Sequence, residues 1–413
     1  MTEQDILRRI LDPANRHNPY PLYEELRRTP VYHQDGGPYA ISHYHDILGL
    51  LHDPRISSDA RNLASTAGDP LAGEDEESTT LPPSFLKLDP PEHDRLRRMT
   101  NRPFGPPHSP HRVEEMRGDL DGIFKGLVDG VSDPGNFDLV EQVSYPFPVT
   151  VICRLLGVPK EDEPRFHVWA DTLAASLDPD PDADPAERAQ VGQSARMELG
   201  MYLAGLIEER RKNPGPDMLS HLAAGNGGPD GAMTTMELLS TSALLLIAGH
   251  ETTVNLITNG MLTLLRHPEV LRDLKANPGL AVPLVEEMLR YEPPVQLLPQ
   301  RTTLTEIEVQ GVTIPKGASM WLVLAAGNRD PARFENPDRF DPYRKDIEHL
   351  GLGSGIHSCF GAPLARLEAQ LALAELARRL EKPRLVEDPP PYRQNAVLRG
   401  PRHLRIACDG IRP

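Results

Sequence analysis

The chain of 413 residues is poor in cysteine and aromatic residues, and it has no long hydrophobic run. Its cysteines, Cys153, Cys359 and Cys408, are too few and odd in number for a disulfide scaffold, which predicts a protein of the reducing cytoplasm. The absence of a paired Cys-x-x-Cys argues against structural zinc. Because no run of about 18 apolar residues occurs, no transmembrane helix and no membrane partner are predicted.

Positive charge is scarce relative to negative charge. Lys and Arg number 44 against 60 Asp and Glu, so the formal net charge is −16. Phosphate binding requires a basic face, so no nucleic-acid partner is predicted, although a local basic patch for a small acidic protein stays open. Residues 1–5 are acidic and polar, and they lack the basic start and apolar run of a secretory signal.

What the chain does have is a glycine-dense stretch at 352–361 that ends around a cysteine. Glycine tolerates positive φ and lets the backbone approach a flat ligand closely. A cysteine thiolate is a soft ligand for iron, and on haem it favours O–O cleavage. A buried cysteine is more often plain apolar core, but His357 two residues before Cys359 favours a ligand. A dinucleotide fingerprint fits poorly, since its third glycine would fall on Ser354 or Ile356.

This stretch resembles the haem-binding signature of the cytochrome P450 family, Phe-Gly-x-Gly-x-His-x-Cys-x-Gly. The glycines, His357, Cys359 and Gly361 match, whereas Leu352 stands where the family usually has Phe. The resemblance implies haem b (iron protoporphyrin IX) with Cys359 as the iron ligand, His357 as a propionate contact and Gly361 in the same site. Because leucine is also apolar, we expect altered packing beside the thiolate and not loss of the site.

A second segment, 89–98, reads as the start of a helix, because prolines precede Glu92. His93 and Arg97 are four residues apart and share one helix face, where they could hold a carboxylate. Without further information, the simpler interpretation of this segment is a basic helix whose charged side chains are in solvent. It resembles the C helix of the family, however, which implies that His93 and Arg97 bind a haem propionate. Arg301, which heads a strand-like stretch, lies where the family places another propionate-binding arginine.

The longest helix-compatible stretch runs from Met233 to about Arg266 and is interrupted by Ala-Gly-His-Glu-Thr-Thr at 248–253. Such local inconsistency tends to mark functional sites, and a Gly/Thr kink without chemistry is the alternative. The segment matches the I-helix motif of the family. The match implies that Ala248 and Gly249 line the distal side of the haem. It also implies that Glu251 and Thr252 deliver protons to dioxygen.

Two further features resemble the family. Glu287 and Arg290, three apart on a helix, resemble a buried structural ion pair in which Arg339 would be the third member. Helices at 163–177 and from about 186 to 212 flank an acidic, proline-rich loop at 178–182, as in a lid over the substrate.

The resemblance implies a mainly α fold with small β sheets, a single domain over 1–413, and haem between the long helix and the Cys359 loop. Length alone would allow two or three domains. The implied reaction inserts one oxygen atom from O2, by hydroxylation or epoxidation, into a sizeable, mostly apolar molecule of secondary metabolism, such as a macrolide, terpenoid or steroid. Residues 60–88, 295–298 and 395–398 should shape its site.

Electrons would come from a separate ferredoxin and ferredoxin reductase, as the resemblance to bacterial members of the family implies. Two alternatives stay open. A peroxide-driven peroxygenase would use the same haem without electron partners, and a non-enzymatic haem protein would show ligand-linked spectral changes without turnover.

Overall fold

The structure is a computed structural model that describes residues 5–413 except 35, 66–68, 70, 72–81, 106–108, 110, 178–184 and 226–229. Helices dominate the described part. They are α1 (Ile6–Leu11), α2 (Tyr20–Arg27), α3 (Tyr44–His52), α4 (Glu92–Asn101), α5 (Arg112–Glu115), α6 (Arg117–Asp129), α7 (Pro146–Leu156), α8 (Glu163–Leu177), α9 (Pro185–Lys212), α10 (Met218–Ala223), α11 (Thr235–Arg266), α12 (Pro268–Ala276), α13 (Ala281–Tyr291), α14 (Leu324–Gly327) and α15 (Ala362–Arg379).

The strands are short and form four small sheets. They are β1 (Val31–Tyr32), β2 (Tyr39–Ile41), β3 (Ile56–Ser57), β4 (Phe137–Asp138), β5 (Leu298–Thr303), β6 (Ile307–Val309), β7 (Val312–Ile314), β8 (Ser319–Leu322), β9 (Leu380–Glu381), β10 (Arg384–Leu385), β11 (Arg405–Ala407) and β12 (Gly410–Ile411). The largest sheet has the order β1-β2-β8-β5-β3, with β2 and β8 parallel and the other pairs antiparallel. The others are β10-β11-β4, β12-β9 and β6-β7.

The long helix α11 is the centre of the helical part. It starts with a capping box, in which the Thr234 hydroxyl accepts from the Glu237 N–H and the Glu237 carboxylate accepts from the Thr234 N–H. It ends at Arg266, immediately before His267 and Pro268. Buried apolar side chains such as Leu246, Ile257 and Leu264 pack it against α7, α9, α13 and α15.

The ion pair between α13 residues Glu287 and Arg290 is buried and bidentate. Both side chains are 0% exposed, and the two nitrogen–oxygen distances are 2.7 Å. The expected third member differs. Arg339 contributes its carbonyl, which accepts from Arg290 at 3.1 Å, whereas the guanidinium that approaches Glu287 belongs to Arg344, at 3.6 Å. Each carboxylate oxygen and guanidinium nitrogen therefore has a partner, as a buried pair requires.

The structure confirms the expected fold class and the helices over 163–177 and 185–212. Between residues 31 and 41, β1 and β2 form an antiparallel pair. The loop at 178–182 lies outside the described residues. Among the helices that the structure describes, none combines the length and apolarity needed to cross a bilayer.

Candidate functional site

The loop that carries Cys359 is held tightly by its glycines. Gly355 has φ +68°, and a Cβ there would lie 2.1 Å from the Leu51 carbonyl oxygen, so no other residue fits without backbone movement. A Cβ on Gly351 would lie 2.2 Å from the Leu289 carbonyl oxygen. The Cys359 N–H donates to the Leu352 carbonyl at 2.8 Å. These close backbone contacts therefore fix the position of Cys359 in the loop.

Opposing effects act on the Cys359 sulfur. Burial raises the pKa of the thiol above its ordinary value, and the backbone N–H groups of Gly361 and Ala362 with the charges of Arg97 and Arg366 offset part of that rise. These N–H groups belong to the N-terminal end of α15, where the helix dipole stabilises an anion. The side chain nevertheless has accessible surface, so a ligand can approach the sulfur.

Two helix-to-loop contacts join α4 to the Cys359 loop. Arg97 donates through Nη2 to the Ser358 carbonyl at 2.6 Å. The rings of His93 and His357 have centroids 4.4 Å apart. Nε2 of His93 and both ring nitrogens of His357 are buried without a hydrogen-bond partner in the described part of the protein. The structure thus brings His93, Arg97 and His357 together.

Arg301 of β5 also faces this group. Burial lowers its pKa to about 10, although the nearby Asp89 acts in the opposite direction, so the guanidinium is still charged at neutral pH. Burial and the neighbouring cations, Arg301 first among them, lower the pKa of His357 to about 3. The Asp89 carboxylate already accepts from the Ser57 hydroxyl and the Ser58 N–H. Among the described residues, no ion pair neutralises Arg97 or Arg301.

The middle of α11 presents small and hydroxylated side chains. Ala248 is exposed and Thr252 is partly exposed, although the helix is otherwise largely buried. The Thr252 hydroxyl donates to the Ala248 carbonyl at 2.9 Å, one turn earlier. A Cβ on Gly249 would lie 2.7 Å from Cδ1 of Ile152, so the glycine lets α7 pack closely against this position of α11.

Glu251 is buried and paired. Its Oε1 lies 2.7 Å from Nη1 of Arg393, and both side chains are at most 10% exposed. Its Oε2 has no partner among the described residues. Sequence reasoning missed Arg393, which is 142 positions away along the chain. The only available signal was that an acid in an apolar helix needs a cation, and the chain has 44 Lys and Arg residues to choose from.

These residues fit a haem. A thiol at a helix N-terminus suits the iron, and the guanidinium groups of Arg97 and Arg301 together with the unpartnered ring nitrogens of His93 and His357 suit two propionates. Comparison with known families decides the matter, because the model described as Cytochrome P450 matches residues 75–278 and 280–407. The chain belongs to the cytochrome P450 family.

This P450 is similar to bacterial members of the family. It is 40% identical to cytochrome P450 monooxygenase PikC of Streptomyces venezuelae over 400 residues, which cover 94% of this chain and 91% of PikC. It is 35% identical to 6-deoxyerythronolide B hydroxylase of Saccharopolyspora erythraea, over 95% and 96% of the two chains. The crystal structure of ligand-free CYP164A2 of Mycobacterium smegmatis superposes with a TM-score of 0.85 and 41% identity, over 97% and 99% of the chains.

The P450 is therefore a haem-thiolate monooxygenase that binds protoporphyrin IX, acts on small molecules and uses redox partner proteins. The structure pairs two of the segments expected to shape the substrate site. Val295 and Leu398 form an antiparallel bridge, and the Gln296 N–H donates to the Val397 carbonyl at 2.8 Å. Residues 72–81 of the third segment lie outside the described part.

Proposed function

We propose that this P450 inserts one atom of O2 into a sizeable, mostly apolar molecule of secondary metabolism, by hydroxylation or epoxidation. It works in the cytoplasm as a single domain over 1–413 and takes electrons from a separate ferredoxin and ferredoxin reductase. The observation that carries the proposal is the position of Cys359, at the N-terminus of α15 and beside Arg97, which makes no ion pair with a carboxylate in the described chain.

The residues around Cys359 would hold the cofactor. The haem supplies the binding and reduction of dioxygen when it is present. The Cys359 thiolate holds the iron, and the Gly361 N–H stabilises the thiolate. Residues that bind the propionates are His93, Arg97, Arg301 and His357. Because Arg97 and Arg301 are charged and partly buried, each is expected to bind a carboxylate more strongly than a surface residue would.

The residues of α11 would act on the other side of the haem. Ala248 leaves surface free for a small molecule, and Gly249 lets α11 pack close to α7. Glu251 takes up protons, and the Thr252 hydroxyl passes them on and holds them away from bulk water. Apolar side chains in 295–298 and 397–398 exclude water from the substrate and favour an apolar molecule. The name of 6-deoxyerythronolide B hydroxylase supports a hydroxylation of this kind.

The first experiment is the optical spectrum of the dithionite-reduced protein under carbon monoxide. Wild type and Cys153→Ser should show a Soret band at the red-shifted thiolate position, and Cys359→Ser should lose it. Cys153 is a matched control because it is buried in the core and burial raises the pKa of its thiol to about 12. A thiolate band that survives in Cys359→Ser would overturn the assignment.

Turnover then tests the reaction. A panel of macrolides, including 6-deoxyerythronolide B, with terpenoids and steroids, is screened for a substrate-induced spectral shift. Compounds that bind are incubated with NADH, ferredoxin and reductase under 18O2, and the proposal expects one labelled oxygen in the product. Product formed only with hydrogen peroxide would favour the peroxygenase. Binding without product under either condition would favour the non-enzymatic haem protein.

A further inference from the structure

Strand β5 contains one residue more than the strand with which it pairs. Leu298 lies opposite Leu322 of β8. Arg301, three residues further along β5, lies opposite Met320, which is only two residues from Leu322. The extra residue makes a β-bulge between positions 298 and 301. Pro299 lies within it, and a bulge is one of the few places in a sheet that accept a proline, because proline has no N–H to donate to a neighbouring strand.

Gln300 of this bulge has a left-handed backbone, with φ +58°. This conformation is uncommon for residues other than glycine, asparagine and aspartate, because the Cβ crowds the following carbonyl oxygen. Such a conformation persists only where the surrounding contacts impose it, and it occurs preferentially at functional sites. The geometry of Gln300 therefore calls for an explanation beyond the pairing of the two strands.

The bulge determines the face of the sheet on which Arg301 lies. Residues opposite each other in an antiparallel pair point to the same face, and so do residues two apart in one strand. Leu298 and Arg301 therefore share the face of Met320. Without the extra residue, regular alternation would place Arg301 on the opposite face, away from His357, which it now approaches.

The side chain of Gln300 binds a segment that packs on the other face of the sheet. Its Nε2 donates to the Leu71 carbonyl at 2.9 Å. Asp69, two residues earlier, accepts a hydrogen bond from Nε1 of Trp321 at 3.1 Å. Trp321 follows Met320 in β8, so its side chain points to the opposite face. Gln300 thus lies at the point where the backbone turns towards one face while the side chain reaches the other.

The segment that Gln300 binds belongs to residues 60–88, which are expected to shape the substrate site. Leu71 is held by the glutamine amide, and Ala64 donates through its N–H to the Gly317 carbonyl at 3.0 Å. The described part of this segment is therefore attached to the sheet at several points. One of these points is the residue immediately before Arg301, which is expected to bind a propionate.

We propose that Gln300 is a positioning residue with two separate actions. Its left-handed backbone turns Arg301 towards the cofactor, and its side-chain amide anchors Leu71 and the segment 60–71 beside the substrate site. A single residue of β5 thereby connects the part of the chain that shapes the substrate site with a residue that holds the haem. The proposal rests on the proposed function, because it assumes that Arg301 binds a propionate.

Substitutions of Gln300 separate the two actions. Gln300→Gly and Gln300→Asn keep the left-handed backbone but lack an amide that reaches Leu71. Gln300→Val lacks the amide and disfavours positive φ, because its side chain is branched at Cβ. Arg301→Gln is the reference for loss of the charge at the propionate. All variants are compared as holoproteins with the wild type.

Three measurements are made, and none of them is catalytic activity. Hydrogen exchange over 60–71 should accelerate at least about fivefold in all three Gln300 variants. Transfer of haem to excess apomyoglobin should accelerate at least about threefold in Gln300→Val and Arg301→Gln, and it should keep the wild-type rate in Gln300→Gly and Gln300→Asn. The haem reduction potential should fall in Gln300→Val by at least about half of its fall in Arg301→Gln, because a nearby positive charge favours the reduced haem.

Gln310 provides a matched control. It is also a glutamine with positive φ, +50°, and its amide donates to the Asp46 carboxylate at 2.9 Å. It lies in the exposed turn between β6 and β7. Gln310→Gly and Gln310→Val should therefore leave the haem-transfer rate, the reduction potential and the exchange over 60–71 at their wild-type values.

The outcomes distinguish this inference from the proposed function. If Arg301→Gln changes the potential and the haem-transfer rate but Gln300→Val changes neither, the backbone action is wrong. Unchanged exchange over 60–71 in Gln300→Gly and Gln300→Asn would overturn the amide action. If Arg301→Gln itself changes neither haem property, the propionate role of Arg301 in the proposed function is wrong as well.

A crystal structure of the wild-type holoenzyme tests the geometry without any variant. Gln300 should have positive φ, and Leu298 and Arg301 should lie on one face of β5. A regular β5 without the extra residue would overturn the proposal, even if Gln300→Val fails to fold.

Discussion

Two adjacent threonines of α11, Thr252 and Thr253, differ in the solvent exposure of their side chains, and this difference determines which of them can act in the reaction. Thr252 and Thr253 are adjacent, and each donates to the carbonyl one turn earlier, at 2.9 and 3.1 Å. Thr252 is partly exposed beside Ala248, whereas Thr253 is buried in the core. The two hydroxyls make the same local bond, so only the accessible one is available to move protons.

Thr252→Ala should therefore uncouple electron use from product. We expect product per NADH to fall at least about tenfold while NADH is still consumed and hydrogen peroxide is released, because a positioned acid–base group contributes 10²–10⁴ in rate. The measurement is product, NADH and peroxide in the same reaction. Thr253→Ala is the matched control, and equal coupling in both variants would contradict the role of Thr252.

The charge of Glu286 depends on the neighbours that the fold brings to it. Burial alone would raise its pKa, but hydrogen bonds from His349 and Arg366 lower the pKa to about 2. Arg366 binds it bidentately, at 2.7 and 2.9 Å. Because the folded-state pKa lies below that of the unfolded chain, the stabilisation is complete above about pH 4.5 and is lost as the pH falls towards 2.

Glu286→Gln should flatten the acid limb of the stability curve. Between about pH 4.5 and pH 3, the free energy of unfolding of the wild type should fall more steeply than that of the variant, by up to about 1.4 kcal/mol per pH unit. Urea unfolding at several pH values measures the slope. Glu308→Gln, on the exposed side of β6, should keep the wild-type slope. An unchanged slope in Glu286→Gln would show that Glu286 titrates normally.

At the scale of elements, helix α13 is anchored by its buried ion pair. Arg290 donates to Glu287 and to the carbonyls of Asn328 and Pro337, so one side chain ties α13 to two following segments. The same i, i+3 spacing occurs on α15 between Glu375 and Arg378, where the arginine is 46% exposed. Burial is the difference between the two pairs, and it determines the cost of removing one partner.

Glu287→Gln should accordingly cost about 3–5 kcal/mol in the free energy of unfolding, because Arg290 would remain buried without a counter-charge. Glu208→Gln, which breaks the more exposed i, i+3 pair with Arg211 on α9, where the two side chains are 56% and 31% exposed, should cost no more than about 1 kcal/mol. Urea unfolding of both variants by circular dichroism compares them. Similar costs for the two substitutions would mean that the buried pair contributes no more than the surface pair.

At the scale of the whole molecule, the haem site joins elements that are distant in sequence. Its basic residues come from α4, from β5 and from the loop at 352–361. Arg97 and Arg301 both lie near His357, and neither makes an ion pair with a carboxylate within the described residues, whereas His93 bonds to Asp94 through Nδ1. Without a dianionic cofactor these cations repel one another, so cofactor and fold should stabilise each other.

Removal of haem should therefore loosen some elements and spare others. Hydrogen exchange should accelerate over 92–101 and 352–361 in the apoprotein, while 281–291, held by the Glu287–Arg290 pair, should keep its protection. The thermal midpoint should fall, as it does when a ligand that binds only the folded state is removed. Uniform acceleration over all three segments would indicate global destabilisation and contradict the local role of the cofactor.

The sequence by itself determined the local structure of several segments and the fold class. The glycines around Cys359, the capping box before α11 and the Glu287–Arg290 spacing act over a few residues, so their local structure can be predicted from the chain. The order of the motifs was enough to predict a mainly α fold with small sheets, and the family match confirms that prediction.

Only the tertiary structure decided which distant groups meet. It paired Glu251 with Arg393, placed Arg344 beside Glu287 in the position expected of Arg339, and put Ile152 against Gly249. No sequence periodicity links such residues, because they are more than fifty positions apart in the chain. Whether they come into contact depends on how the helices and loops pack. The physical reason is that local backbone preferences act over a few residues, whereas a buried charge is neutralised by whichever cation the completed fold brings within about 4 Å.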